Sequence, residues 1–136
     1  MADCLFCKVA SGEVPSSKVY EDSLFMAFLD LYPANKGHVL ISPKKHSESV
    51  WNLSEEELAG MALLAQRIAK ALKDALQCDG VNILQNNGES AGQLIFHNHL
   101  HVIPRFKGDD LELKWPRNLY KEGEMDSYRN KIKEKL

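Results

Sequence analysis

Between Leu58 and Leu76 apolar residues return every three or four positions, at Leu58, Met61, Ala65, Ile68, Leu72 and Leu76. That is the spacing of one face of an α-helix. Ser54 and Glu57 stand just ahead in the pattern of a capping box, and Asp79-Gly80 ends the run. The stripe predicts a long helix with a core-facing side.

Elsewhere the apolar residues come in short runs bounded by turn formers. Lys18-Val19-Tyr20-Glu21, Leu24 to Asp30, His38 to Ser42 and Val81 to Gln85 are rich in β-branched or aromatic residues and predict strands. A last strand is expected from Leu94 to Ile103, ended by Pro104, after the polar connection Asn86 to Gly92. Asp3 to Ala10 opens on a cap-type residue and runs into Gly12, which predicts a short amino-terminal helix. A further helix is expected over Met125 to Lys135. Strands dominate and long crossovers are absent, so the fold class is α+β, an antiparallel sheet of about five strands with one long helix on it.

Composition narrows the classes of function. The chain has 136 residues, enough for one domain spanning 1–136, with 44% hydrophobic and 26% charged residues. The formal net charge of −2 gives no basic field for nucleic acid. The longest apolar run, Leu24 to Leu29, is too short to span a bilayer. Met1-Ala2-Asp3-Cys4 does not read as a signal peptide, and an odd count of three cysteines suits a reducing compartment. A cytoplasmic protein that binds neither nucleic acid nor membrane is the expectation.

Five histidines occur, three of them in His97-Asn98-His99-Leu100-His101. On a strand these three would share one face at intervals of roughly 6.5–7 Å. Three imidazoles make a poor core surface, because each needs hydrogen-bond partners once buried. Two chemistries fit the pattern. One is a catalytic zinc ion with an open position for water. The other is nucleophilic attack by a neutral imidazole on phosphorus, with flanking imidazoles, the glycine-bearing turn and Arg105 supplying charge.

Gly92-Gln93, the histidine run and Pro104-Arg105 together resemble the signature of the histidine-triad family. The resemblance extends to Phe28-Leu29-Asp30, Gly37-His38-Val39-Leu40-Ile41 and Pro43-Lys44-Lys45-His46, over roughly residues 4 to 107, with 108–136 as an extension. It implies a nucleotide hydrolase or transferase that cleaves at the α-phosphate of nucleoside phosphoramidates or dinucleoside polyphosphates. By the same resemblance His99 forms a nucleotidyl-histidine, His101 assists the leaving group and His38 supports the triad. Asp30 stands at the ribose-binding position. Leu5, Phe6, Val9, Phe28 and Leu31 match the walls around a purine base, and Asn86 and Gln93 match polar contacts to phosphate or leaving group. A homodimer is implied as well. The chain departs from many members in having Leu94 directly after Gln93, where they carry Ser or Thr.

Cys4 and Cys7 stand three apart on the expected first helix, so they share a face. A thioredoxin-like role would want a βαβ context, which is missing. The resemblance implies a structural zinc held by Cys4, Cys7, His46 and His97, which leaves His99 and His101 to the chemistry. Cys78 has no partner in sequence and reads as a small apolar residue.

Overall fold

The computed structural model describes residues 3–136; Met1 and Ala2 lie outside the described residues. Helix α1 (Leu5–Ser11) is followed by strands β1 (Lys18–Glu21), β2 (Phe25–Leu29) and β3 (Val39–Pro43). Helix α2 (Glu55–Leu76), β4 (Gly80–Leu84), β5 (Leu100–Arg105) and α3 (Glu124–Lys133) complete the order. The five strands form one sheet, β1-β2-β3-β5-β4, with every neighbouring pair antiparallel. The α+β expectation holds.

Strand β2 is buried at four of its five positions, and β3 at all five, because both faces of the sheet are covered. Phe25, Ala27, Val39, Ile41 and Val102 point to one face and meet Met61, Leu64, Ala65, Ile68 and Leu72 of α2. Met26, Phe28 and Leu40 point to the other, where Phe6 and Val9 of α1 close over them. The two-residue period of a strand thus sorts alternate side chains into two cores. His101 pairs across the sheet with Leu40 on β3 and Leu84 on β4, which puts it on the α1 face. The catalytic candidates and α1 share that face, and α2 supports the sheet from behind.

Helix α2 starts as its sequence predicts. The Ser54 side chain accepts from the Glu57 amide, and Glu57 accepts from the Ser54 amide. Its buried stripe includes Leu64, while Leu58 and Leu76, at the two ends, are exposed. The helix stops at Gln77, in the left-handed region at φ 54°, rather than at Asp79-Gly80, and Gly80 already belongs to β4. Cys78 is buried, as its apolar reading requires. At the amino terminus the N-cap of α1 is Cys4 rather than Asp3, and Gly12 supplies the left-handed C-cap at φ 81°.

The last strand differs most from expectation. It runs from Leu100 to Arg105 instead of from Leu94 to Ile103. Residues 93–99 send their polar groups to partners outside any ladder: the Asn98 amide donates to the Ser47 carbonyl, and Gln93 Nε2 donates to Ile95 O. Pro104 is tolerated inside β5 because pairing with β3 ends at Val102, leaving only β4 alongside.

Gly60 is the point where α2 settles on the sheet. A Cβ there would lie 2.4 Å from Cζ of Phe25. Gly60→Ala adds ~1 kcal/mol of helix propensity, yet it forces a buried ring to move, at a cost of about 1–3 kcal/mol. We expect a lower urea midpoint for Gly60→Ala; a higher one would mean that Phe25 moves without cost.

Candidate active site

His99 lies in the stretch just before β5 and is only 8% exposed. Its Nδ1 donates to the carbonyl of His97 at 2.7 Å. A carbonyl can only accept, so the Nδ1–H tautomer is the one that satisfies this bond, and Nε2 keeps its lone pair. Phe6 packs against the ring nearly at right angles, with centroids 5.1 Å apart.

His101 is held in the opposite sense. The backbone N–H of Ala34 donates to His38 Nδ1 at 3.1 Å. The proton of neutral His38 is therefore on Nε2, which lies 2.9 Å from His101 Nδ1 and donates to it. His101 in turn carries its proton on Nε2. Two imidazoles with centroids 5.0 Å apart thus present different faces, a lone pair on His99 and an N–H on His101.

Burial disfavours the charged imidazolium and lowers the pKa of His38, His97, His99 and His101 below the ordinary 6.5. His101 falls to about 4, through burial first and then through the neighbouring His99 and His38. Asp30 opposes the shift. One Asp30 oxygen accepts from the Tyr32 amide at 2.9 Å, and the other lies 3.7 Å from His38 Nδ1. Asp30 therefore caps a turn and faces the triad at once.

His97 turns away from this pair. Its Nε2 donates to Pro43 O at 2.8 Å, and its Nδ1 lies 3.3 Å from Cys4 Sγ and 3.5 Å from Cys7 Sγ. His46 Nδ1 lies 3.4 Å from Cys7 Sγ. The ligand atoms of Cys4, Cys7, His46 and His97 are all within 4.8 Å of one another. Tetrahedral coordination at Zn–S ≈ 2.3 Å and Zn–N ≈ 2.0–2.1 Å needs ligand separations of roughly 3.3–3.8 Å, so the set fits the ion. The Pro43 carbonyl supplies the outer partner that orients a metal-binding imidazole. Asp30, His38 and His101 also approach within 4.8 Å. There, however, both His38 nitrogens and His101 Nδ1 are engaged in the hydrogen bonds just described.

The HIT domain family model covers residues 11–108. The chain belongs to the HIT family. A solved HIT family protein from Bacillus subtilis is 40% identical, with a TM-score of 0.92 over 98% of this chain and 97% of its own. A zinc-bound histidine triad family protein from Mycobacterium smegmatis is 37% identical, with a TM-score of 0.79 over 99% of both chains. A histidine triad nucleotide-binding protein from Candida albicans is 34% identical, with a TM-score of 0.88 over 98% of this chain and 97% of its own.

Within this HIT fold the other expected site residues divide. Phe6, Val9 and Phe28 are buried together beside His99. Leu5 and Leu31 stand outside that cluster, Leu31 being 87% exposed. Asn86 is half-buried, with a single long contact from Nδ2 to Gly92 O at 3.5 Å. Gln93 is buried and its amide is saturated: Oε1 accepts from the Gly88 amide, and Nε2 donates to Glu48 O and Ile95 O. It shapes the Gly88–Gly92 turn and has no free donor for a phosphate. Arg105 is committed too, making a paired contact with Asp109 and further bonds to Asn82 and the Leu111 carbonyl. As a charge source for phosphate it is corrected to an anchor of the chain after β5. Leu94 is 89% exposed.

Sequence reasoning passed over Ala34, Pro43 and Asn98. The first two act through backbone atoms and carry no side-chain signal. Asn98 is buried between the histidines and accepts from Gln85 Nε2 at 2.8 Å. Its placement inside the histidine run was the available clue.

The lowered histidine pKa values make folding stability depend on pH. The unfolded chain takes up protons near 6.5 while the native imidazoles resist, so stability rises with pH through this range. It is fully present above about 6.5 and is lost as pH falls toward 4. Urea titrations from pH 8 to pH 4.5 are expected to give a flat unfolding free energy down to about 6.5 and a steady decline below. A flat profile throughout would show that these rings are as easily charged in the native state as in water.

Proposed function

We propose that this chain is a nucleotide hydrolase or transferase that cleaves at the α-phosphate of purine nucleoside phosphoramidates or dinucleoside polyphosphates, through a covalent nucleotidyl-His99. The observation that carries the reading is the set of ring contacts, His99 Nδ1 on the His97 carbonyl and His101 Nδ1 on His38 Nε2, from which we infer a lone pair on His99 Nε2 and an N–H on His101 Nε2. An attacking group and a hydrogen-bond donor at one phosphate are what displacement at phosphorus requires.

In the first half-reaction His99 Nε2 forms a bond to the α-phosphorus as the bond to the leaving group breaks. The imidazole becomes cationic, and its Nδ1–H remains on the His97 carbonyl. His101 Nε2–H hydrogen-bonds to the leaving atom and steadies the negative charge that builds there; a leaving group that needs a proton takes it from solvent water, and His101 stays neutral. In the second, a water oxygen replaces His99 at phosphorus, the Nε2–P bond returns its electron pair to the ring, and the water's proton passes to solvent. His38 fixes the His101 tautomer, and Asp30, lying between turn and triad, offers oxygens to ribose hydroxyls. Phe6, Val9 and Phe28 wall the base, with Leu5 and Leu31 as its outer, exposed rim. Asn86 keeps free hydrogen-bonding capacity for phosphate or leaving group, and Gln93 acts by holding the turn.

Zinc is the ion we assign to Cys4, Cys7, His46 and His97, as a closed structural site. We read the chain, residues 1–136, as one cytoplasmic domain that works as a homodimer. Support for the dimer is the edge position of β4, where Ile83 is exposed, since an unpaired edge invites a partner. Light scattering at micromolar concentration is expected to report about twice the 15.4 kDa chain mass; a monomer removes the dimer.

The mechanism is tested on His99. His99→Ala is expected to bind nucleotide but to lose turnover by roughly a thousandfold or more. His101→Ala is expected to slow the reaction least for leaving groups that are already stable as anions. Wild-type protein in steady state is expected to gain the mass of one nucleoside monophosphate in an acid-labile bond. Normal turnover by His99→Ala, or an adduct mapping elsewhere, refutes the scheme. Activity that disappears on chelation and follows a metal at Asp30, His38 and His101 would favour a catalytic-metal hydrolase instead.

A further inference from the structure

His97 belongs to two sites at once. Its ring Nδ1 faces Cys4 and Cys7, while its backbone carbonyl accepts the Nδ1–H of His99. In a regular strand that carbonyl would be aimed by the ladder. Here it is not, because pairing of β5 with β3 begins only at Leu100. What orients residues 95–99 is a handful of separate bonds: Gln93 Nε2 to Ile95 O, His97 Nε2 to Pro43 O, the Asn98 amide to Ser47 O, and Ser42 Oγ to Asn98 O. The ring of His97 is one of these supports, and half of its hold lies in the cysteine pair.

The same centre reaches His99 by a second route. Cys4 and Cys7 flank Phe6 at the start of α1, and Phe6 makes steeply inclined ring contacts with His99 at 5.1 Å and with His97 at 5.8 Å. Helix α1 is only seven residues long, and its N-cap has no side-chain hydrogen bond. A helix of that length is marginal without tertiary anchoring. Fixing Cys4 and Cys7 therefore fixes the ring that walls one side of the nucleophile.

We propose that the Cys4/Cys7/His46/His97 centre is a positioning device for His99: by holding the His97 ring and α1 it aims the His97 carbonyl, and so selects the Nδ1–H tautomer that leaves Nε2 free to attack. The inference rests on the reading of His99 as nucleophile, and it makes His46, Cys4 and Cys7 positioning residues for the reaction. His46 touches His97 and Cys7 and takes no part in the hydrogen bonds that join Ala34, His38 and His101 or His97 and His99, so its effect on the chemistry passes through the centre.

The test compares full-length protein loaded with zinc, the same protein stripped by EDTA, and the variants Cys7→Ser and His46→Asn. Far-UV circular dichroism at low temperature checks that each is folded, and long-range 1H–15N spectra of the imidazoles report the His99 tautomer without reference to turnover. Loaded wild type is expected to show His99 as Nδ1–H alone; stripped protein and both variants are expected to show a mixture. kcat is expected to fall roughly ten- to a hundredfold, with KM changing by about a few-fold only, and Cys7→His, which restores a ligand, is expected to recover both signals. Stripped, folded protein with an unchanged His99 tautomer and unchanged kcat overturns the proposal. So does global unfolding on stripping, because the centre would then be a general staple and not a device acting on one ring. Absence of turnover on every nucleotide tried, with the tautomer still responding to zinc, would instead strike the proposed reaction and leave this coupling standing.

Discussion

The hydrogen bond from His99 Nδ1 to the carbonyl of His97 is the constraint around which this molecule is arranged. A neutral imidazole has one N–H and one lone pair, and without a fixed acceptor either nitrogen can carry the proton. A backbone carbonyl removes the choice, because it accepts and cannot donate. The rest of the fold holds that carbonyl and that ring at one distance. The Pro43 carbonyl grips the side chain of His97, Ser42 and Ser47 grip Asn98, and Phe6 closes the open side of His99. These supports come from α1, from β3 and the turn after it, and from the chain before β5, segments far apart in sequence. The sheet's contribution is to give them a common, rigid face.

Much of the fold could be read in the chain because the signals are local. The capping box at Ser54 and Glu57, the helical stripe behind it and the short runs of β1 to β4 each depend on neighbours in sequence. Where reading failed, the deciding partner was distant. Leu94 to His99 has the composition of a strand, but its backbone groups pair with Ser47 and with side chains of Gln93 and Ser42. Nothing within that segment reveals those partners. Pro104 looked like a terminator because the loss of an N–H matters only where a second strand lies alongside, and β3 has already ended there.

The site shows the same division. The histidines, Asp30 and the two cysteines were legible because their chemistry is carried by side chains in a specific order. Gln93 and Arg105 were legible as polar residues but not as saturated ones. A free amide and a free guanidinium look identical in sequence to ones that fold a turn or anchor a loop. Arg105 holds Asp109, whose carboxyl is kept well below the usual carboxylate range by that guanidinium and by the Phe106 amide. Asn35 joins the same cluster through Asp109 and the Pro104 carbonyl. The positive charge at the end of β5 is thus neutralised locally, so the proposed reaction would have to stabilise phosphate with neutral donors.

That last point gives the low histidine pKa values a chemical meaning. In the proposed reaction a cationic His99 could not attack, and burial favours the neutral ring that attack needs. The cost is that no imidazolium stands ready as a donor, which is why the direction of the His101 proton matters so much. It is set by the N–H of Ala34 pointing at His38 Nδ1. Proton position then propagates through His38 to His101, and the remaining N–H stands on His101 Nε2. In the proposed mechanism one backbone amide, held in the turn after Pro33, therefore decides whether two identical rings become a nucleophile and a donor or two competing bases. The distinction costs no net charge in a buried site.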